Sequence, residues 1–128
     1  MLLSGRIYLS TIYRLKKQGG RVRSVELARE LGYTKPSISR AIAGFEKDGY
    51  LTVEKGGILE LSEKGLKEAK ELVKRQEMIV EFLQMTCGIS YEQALKDAMA
   101  AEPSFSKKTL QGMKAFIREV NELQKQEG

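Results

Sequence analysis

A chain of 128 residues, 41% of them apolar, can pack one compact domain or two small layers sharing a core. With no histidine and a single cysteine it has no intrachain disulfide, no imidazole general base and no Cys–His nucleophile, and this excludes the commonest enzyme chemistries and points to a reducing compartment. The net charge of +5 lies wholly in residues 1–62, where eleven Lys/Arg face six Asp/Glu, whereas residues 63–128 carry eleven of each; a positive half-chain suits a polyanionic partner.

Residues 5–17 carry an apolar stripe of helical period, Ile7, Leu9, Ile12, Tyr13 and Leu15, stopped at Gly19 and Gly20. Ser24 is the expected N-cap of a second helix, Val25–Leu31, with Val25, Leu27, Ala28 and Leu31 inward and Gly32 closing it. After a turn at Tyr33 and Thr34, a third helix starts near Lys35 and Pro36, since proline is tolerated in a first turn. Its stripe is Ile38, Ala41, Ile42 and Phe45, and Asp48 with Gly49 ends it. Two β-prone runs, 50–54 and 58–61, flank Lys55, Gly56 and Gly57 and predict a hairpin. Ser62 caps a long helix to about Met85, with Gly88 as its stop. Ser90 and Gln93 match a capping box for a helix through about Ala101, ended by Pro103. A last helix spans about 106–124. No apolar run nears the roughly 20 residues that cross a bilayer. Met1 to Arg6 is too short and broken for a signal peptide, so the expected location is cytoplasmic, away from membranes.

The order helix, helix, tight turn, helix, hairpin predicts a mainly α fold with a small β wing: a winged helix-turn-helix over 1–62 and a helical dimerisation domain over 63–128. A major groove about 12 Å wide admits one α-helix, and the third helix suits it. Thr34, Lys35, Pro36, Ser37, Ser39 and Arg40 are small or hydrogen-bonding, with no acid before Glu46. Arg40 can fork onto guanine O6 and N7. Arg21, Arg23, Ser24, Lys47 and Lys55 are expected phosphate contacts, so double-stranded DNA is the expected partner. Leu110, Met113, Phe116, Ile117, Val120 and Leu123 form one stripe on the last helix, more than a small monomer buries, and predict a homodimer interface. Cys87 reads as a small buried hydrophobe. Tyr8, Tyr13 and Phe45 read as core or interface rather than base-stacking residues.

Several segments resemble the diphtheria toxin repressor family. They are 8–13, 22–24 with 28–31, 35–41, and Leu61-Ser62-Glu63-Lys64-Gly65 after the wing, continuing through Glu81-Phe82-Leu83 and Ala101-Glu102. The resemblance implies a short, manganese-type member without the SH3-like domain of longer ones. It implies homodimers on palindromic operators, activated in the family by iron or manganese. Carried over residue by residue, the family's ligand positions hold Ile7, Ser10, Gln76, Val80, Leu95, Met99, Glu102 and Pro103. Glu102 and the Met99 sulfur alone remain as donors, too few and mismatched for a transition-metal site. No metal and no cofactor are therefore expected; an apolar or weakly polar joint between the first helix and the C-terminal helices is expected instead. An effector of unknown chemistry, bound between the domains, is compatible with this reading. Two alternatives stand beside it: a metal-dependent repressor with a rearranged acidic site of Glu77, Glu81, Asp97 and Glu102, and a protein-interaction module that no longer reads DNA.

Overall fold

A computed structural model describes residues 3–127, with side chains from Gly5; Met1, Leu2 and Gly128 lie outside the described residues. The elements in order are α1 (Leu3–Lys17), α2 (Ser24–Leu31), α3 (Lys35–Lys47), β1 (Leu51–Glu54), β2 (Ile58–Leu61), α4 (Glu63–Cys87), α5 (Tyr91–Ala101) and α6 (Lys107–Glu127), with a 3-10 turn at Glu102–Ser104 before α6. Two compact units result, Met1–Val73 and Lys74–Gly128, and α4 gives its first part to one and its remainder to the other. The architecture is the mainly helical, winged fold read from the sequence.

In the first unit the core gathers Tyr8, Ile12, Val22, Leu27, Ile38, Ile42, Phe45, Leu51 and Leu59. Leu9 buries separately with Ala69 and Leu72 of α4. α1 is enclosed more completely than one stripe suggests: Tyr8, Leu9, Ser10, Thr11 and Ile12 are all buried, while Ile7, Tyr13 and Leu15 are half-buried. The Tyr8 ring meets Tyr33 and Phe45 edge to face, a core role. Burial lifts its hydroxyl above the usual phenol range, and Tyr33 adds to the shift.

The start of α2 differs from the sequence reading by one residue. Arg23 is the N-cap and Ser24 already lies in the helix. Leu59 N–H donates to Val22 O at 2.7 Å and Arg23 bridges to Ile58, so β2 holds this backbone extended up to Arg23. The Glu26 carboxylate then accepts from Arg23 N–H at 3.0 Å, so the Ser24 hydroxyl is not needed as a cap. Val25, expected inward, is 40% exposed.

β1 and β2 pair antiparallel, Leu51 opposite Leu61 through Glu54 opposite Ile58. Gly56 and Gly57 take φ of 82° and 79° at the wing tip, which β-carbons disfavour. The wing's base is knotted to α4. Ser62 N–H donates to Tyr50 O at 3.0 Å, the Ser62 hydroxyl donates to Gly49 O, and Gly65 N–H donates to Ser62 Oγ at 3.0 Å. Lys64 Nζ donates to Asp48 O at 3.0 Å and lies 4.3 Å from the Tyr50 ring centroid. At Gly65 a β-carbon would sit 1.9 Å from Tyr50 O.

In the second unit Ile79, Val80, Ala94 and Ala98 form the centre, with Met78, Leu83, Ile89, Leu95, Phe105, Leu110 and Met113 packed on it. Ser90 Oγ caps α5 by accepting from Gln93 N–H at 3.1 Å, while the Gln93 amide turns to Asp97 instead of completing the box. Ser106 caps α6 through Thr109 N–H. Cys87 is exposed, not buried as expected. As the last residue of α4 it lies beyond that helix's packed stretch.

Two glycine substitutions separate the knot from ordinary helix. Gly65→Ala is expected to cost about 2–4 kcal/mol, because backbone must move to admit the methyl. Gly112→Ala, in open space within α6, is expected to stabilise by about 0.5–1 kcal/mol through helix propensity. Urea unfolding followed by circular dichroism reads both.

Candidate nucleic-acid interface

α3 turns Ile38, Ile42 and Phe45 into the core, which fixes its opposite face outward. Lys35, Pro36, Ser39, Arg40, Ala43, Gly44 and Lys47 are all exposed, recurring at helical spacing along one side. Ala43 and Gly44 were not singled out from sequence. Their smallness on the exposed face is the available signal, and the space about Gly44 is open. Thr34 caps the helix: its Oγ1 accepts from Ser37 N–H at 3.3 Å and its hydroxyl donates to Ser37 Oγ at 3.0 Å. No acid occupies the first turn, so the positive end of the helix dipole is uncompensated there.

The other candidate residues are spread over the same unit. Arg21 is exposed in the α1–α2 loop. Arg23 is exposed and joined by its β-bridge to Ile58 at the edge of the wing, so those two parts of the site are coupled through backbone. Ser24 is half-buried, and Lys55 is exposed at the wing tip. The core that seats α3 also seats Leu51 and Leu59, so one cluster orients both α3 and the wing. Among the described residues the side chains of Arg21, Arg23, Lys35, Arg40, Lys47 and Lys55 make no ion pair, in contrast to Lys16, which pairs with Glu60 at 3.1 Å. Unneutralised cations on one unit can bind a polyanion without first breaking internal contacts.

The stripe expected to form the dimer interface divides. Ile117 is buried in its own chain, and Leu110 and Met113 pack on the core of their own unit. Ile117 is thus enclosed within its own chain, while Leu110 and Met113 are half-buried against it. Phe116 at 41% and Leu123 at 59% exposure remain outward, with Val120 half-buried beside them and Phe116 stacked edge to face on Phe82.

At the family's ligand positions the chemistry is mostly apolar or amide. In the first unit Ile7 is half-buried and Ser10 is buried, its hydroxyl donating to Ile7 O at 3.2 Å. In the second, Gln76 and Val80 are buried and Leu95 and Met99 half-buried. Glu102, 3% exposed, accepts from Arg75 Nε at 3.0 Å, so its carboxylate is already matched to a cation. Two further acids of the alternative site are engaged elsewhere: Glu77 accepts from the Tyr91 hydroxyl and Asp97 from Gln93. Among the described residues no group of three or more Cys, Asp or Glu side chains is placed to hold one ion. This donor set does not fit a divalent iron or manganese ion.

Known proteins match both parts of the chain. The iron dependent repressor N-terminal DNA binding domain matches residues 5–59, and the iron dependent repressor metal binding and dimerisation domain matches 62–125. The HTH-type transcriptional regulator MntR of Lysinibacillus sphaericus is 30% identical over 115 residues, 90% of this chain and 82% of that protein. The regulator of the same name in Bacillus subtilis is 32% identical over 99 residues, 77% of this chain and 69% of that one. A solved manganese-dependent transcriptional repressor in complex with manganese superposes with a TM-score of 0.79 at 20% identity, over 88% of this chain and 52% of the other. The chain spans about half the length of the solved relatives it matches.

The cap of α3 offers a direct check of local order. Thr34→Ala is expected to lower stability by about 1 kcal/mol, and Thr34→Ser to retain most of it. Thermal melts of the two variants beside the parent measure the difference.

Proposed function

Because this chain belongs to the iron-dependent repressor family, we propose that it is a homodimeric regulator that binds palindromic double-stranded DNA in the cytoplasm without activation by metal at the family's ligand positions. It is a DNA-binding transcriptional regulator and not an enzyme. Among the described residues no helix is long and apolar enough to cross a membrane. In this reading residues 1–62 bind DNA and residues 63–128 dimerise.

The observation that carries the DNA reading is the exposed, unpaired basic face of α3 with small residues between its cations. Arg40 reads a base edge; Thr34, Lys35, Pro36, Ser37 and Ser39 at the helix start bring backbone N–H groups and hydroxyls to phosphates and neighbouring bases. Arg21, Arg23, Ser24, Lys47 and Lys55 hold the flanking phosphates. Phe116, Val120 and Leu123 supply the apolar part of the dimer contact.

The observation that carries metal independence is the Arg75–Glu102 pair. The one carboxylate left at a family ligand position is held by a guanidinium, and a metal would have to displace that cation before ligating. The other positions offer no anionic or imidazole ligand in exchange, only neutral groups such as the Met99 thioether.

The test is a binding isotherm on an operator selected from genomic fragments, at fixed salt. Arg40→Ala is expected to lose about 1–3 kcal/mol of affinity and to relax preference at one base position. Arg23→Ala or Lys55→Ala is expected to weaken all sequences alike and to flatten the salt slope by about one. Micromolar Mn²⁺ or Fe²⁺ and chelator are expected to leave the isotherm in place. A tightening of tenfold or more with either metal, reversed by chelation, overturns the metal reading, and an unchanged Arg40→Ala isotherm overturns the assignment of α3.

A further inference from the structure

Lys74, Arg75 and Met78 of α4 and Lys107, Leu110, Gln111 and Lys114 of α6 enclose an open pocket of about 290 Å³, entirely within the second unit. Four of the seven lining residues are cationic and none is acidic. The excess is local: residues 63–128 carry equal numbers of acids and bases, yet no acid lines this pocket. Among the described residues Arg75 alone of the pocket's cations has an internal counter-charge, Glu102, bonded through Nε; the remaining guanidinium donors lie on its terminal nitrogens. Met78 and Leu110 pack on the unit's apolar core from one side and line the pocket from the other.

We propose that this pocket is a binding site for a small amphipathic anion, a carboxylate or phosphate head on an apolar tail. The lysines and the terminal nitrogens of Arg75 take the head, and Met78 and Leu110 take the tail. The volume lies at the lower edge of the range for small-molecule sites, which limits the occupant to a small molecule such as one short chain with a single anionic head. A methionine beside a leucine gives an apolar wall that adapts to unbranched tails. Charge complementarity argues against a second copy of this chain as occupant, because the facing surface would have to be acidic while α6 itself begins with Lys107 and Lys108 and has no acid in its first turn. The site goes beyond the DNA-binding reading and does not depend on it.

Titration calorimetry on the full chain without DNA tests it, with sodium octanoate and octyl phosphate as probes. Both are expected to bind one per chain, and the tighter of the two identifies the preferred head. Acetate, inorganic phosphate and octanol, each lacking tail or head, are expected to bind at least tenfold more weakly. Lys107→Glu/Lys114→Glu is expected to weaken the octyl probes at least tenfold with its circular dichroism unchanged. The matched reversal Lys67→Glu/Lys70→Glu, outside the pocket, is expected to stay within twofold. Absence of binding by both octyl probes at millimolar concentration overturns the site. So does equal weakening by the two double variants, which assigns the effect to overall charge. If Lys107→Glu/Lys114→Glu dissociates a dimer in sedimentation while octanoate binding is absent in the parent, the face is a contact between copies and the proposal fails.

Discussion

The first unit depends on the close approach of the Gly65 backbone to the Tyr50 carbonyl. At that point the end of α3, the first residue before β1 and the first turn of α4 meet, and Ser62 satisfies the polar groups that the meeting would bury. Each hydrogen bond contributes only about 1 kcal/mol net, and an exposed cation–π contact less than that. Their joint effect is geometric. They set the angle at which the hairpin leaves the helix, and through Leu51 and Leu59 the position of the wing on the core that also seats α3. The segment Leu61 to Gly65, a leading part of the family resemblance, is thus explained by sterics and hydrogen bonding, with no reference to DNA or metal.

Charge is handled differently in the two units. In the first, the cations of the α3 face and wing make no ion pair among the described residues, so the unit's positive potential is available at the surface. In the second, a nearly buried carboxylate is matched by one guanidinium 27 residues earlier in the chain. Removing one partner of such a pair leaves an uncompensated buried charge, which commonly costs more than the pair contributes. Arg75 is therefore constrained by Glu102 and at the same time lines a cationic pocket.

Much of the fold was legible in the sequence because it is specified locally. The stripe Ile38, Ile42, Phe45, the helix start near Lys35 and Pro36, the paired glycines of the wing and the stop at Gly88 are all short-range signals, and helical period and φ preference act over a few residues. The α3 face was legible for the same reason: once the buried stripe is known, the exposed one follows. What was not legible depends on neighbours distant in sequence. The helix start at Arg23 is set by a β-bridge to Ile58, and the burial of Ser10, Thr11 and Ile117 by packing within the folded chain. A stripe on α6 shows that a face is apolar, but not whether the same chain covers it. The exposure of Cys87 is of this kind too, since residue type favoured burial and position at a helix end decided against it. The Arg75–Glu102 pair and the pocket beside it required two elements to be brought together, and no spacing in the chain announces them.

The placement of α4 has a consequence for dissecting the molecule. Leu9 is fully buried, and what covers it is Ala69 and Leu72, beyond the point where the winged motif ends by sequence. A fragment cut after residue 62 would contain every candidate DNA contact and still expose a leucine at its centre, along with Tyr50 stripped of Lys64 and Gly65. The smallest piece with a closed interior runs through Val73. A fragment made to the shorter limit would be sticky and poorly ordered for reasons unrelated to the absence of its partner subunit.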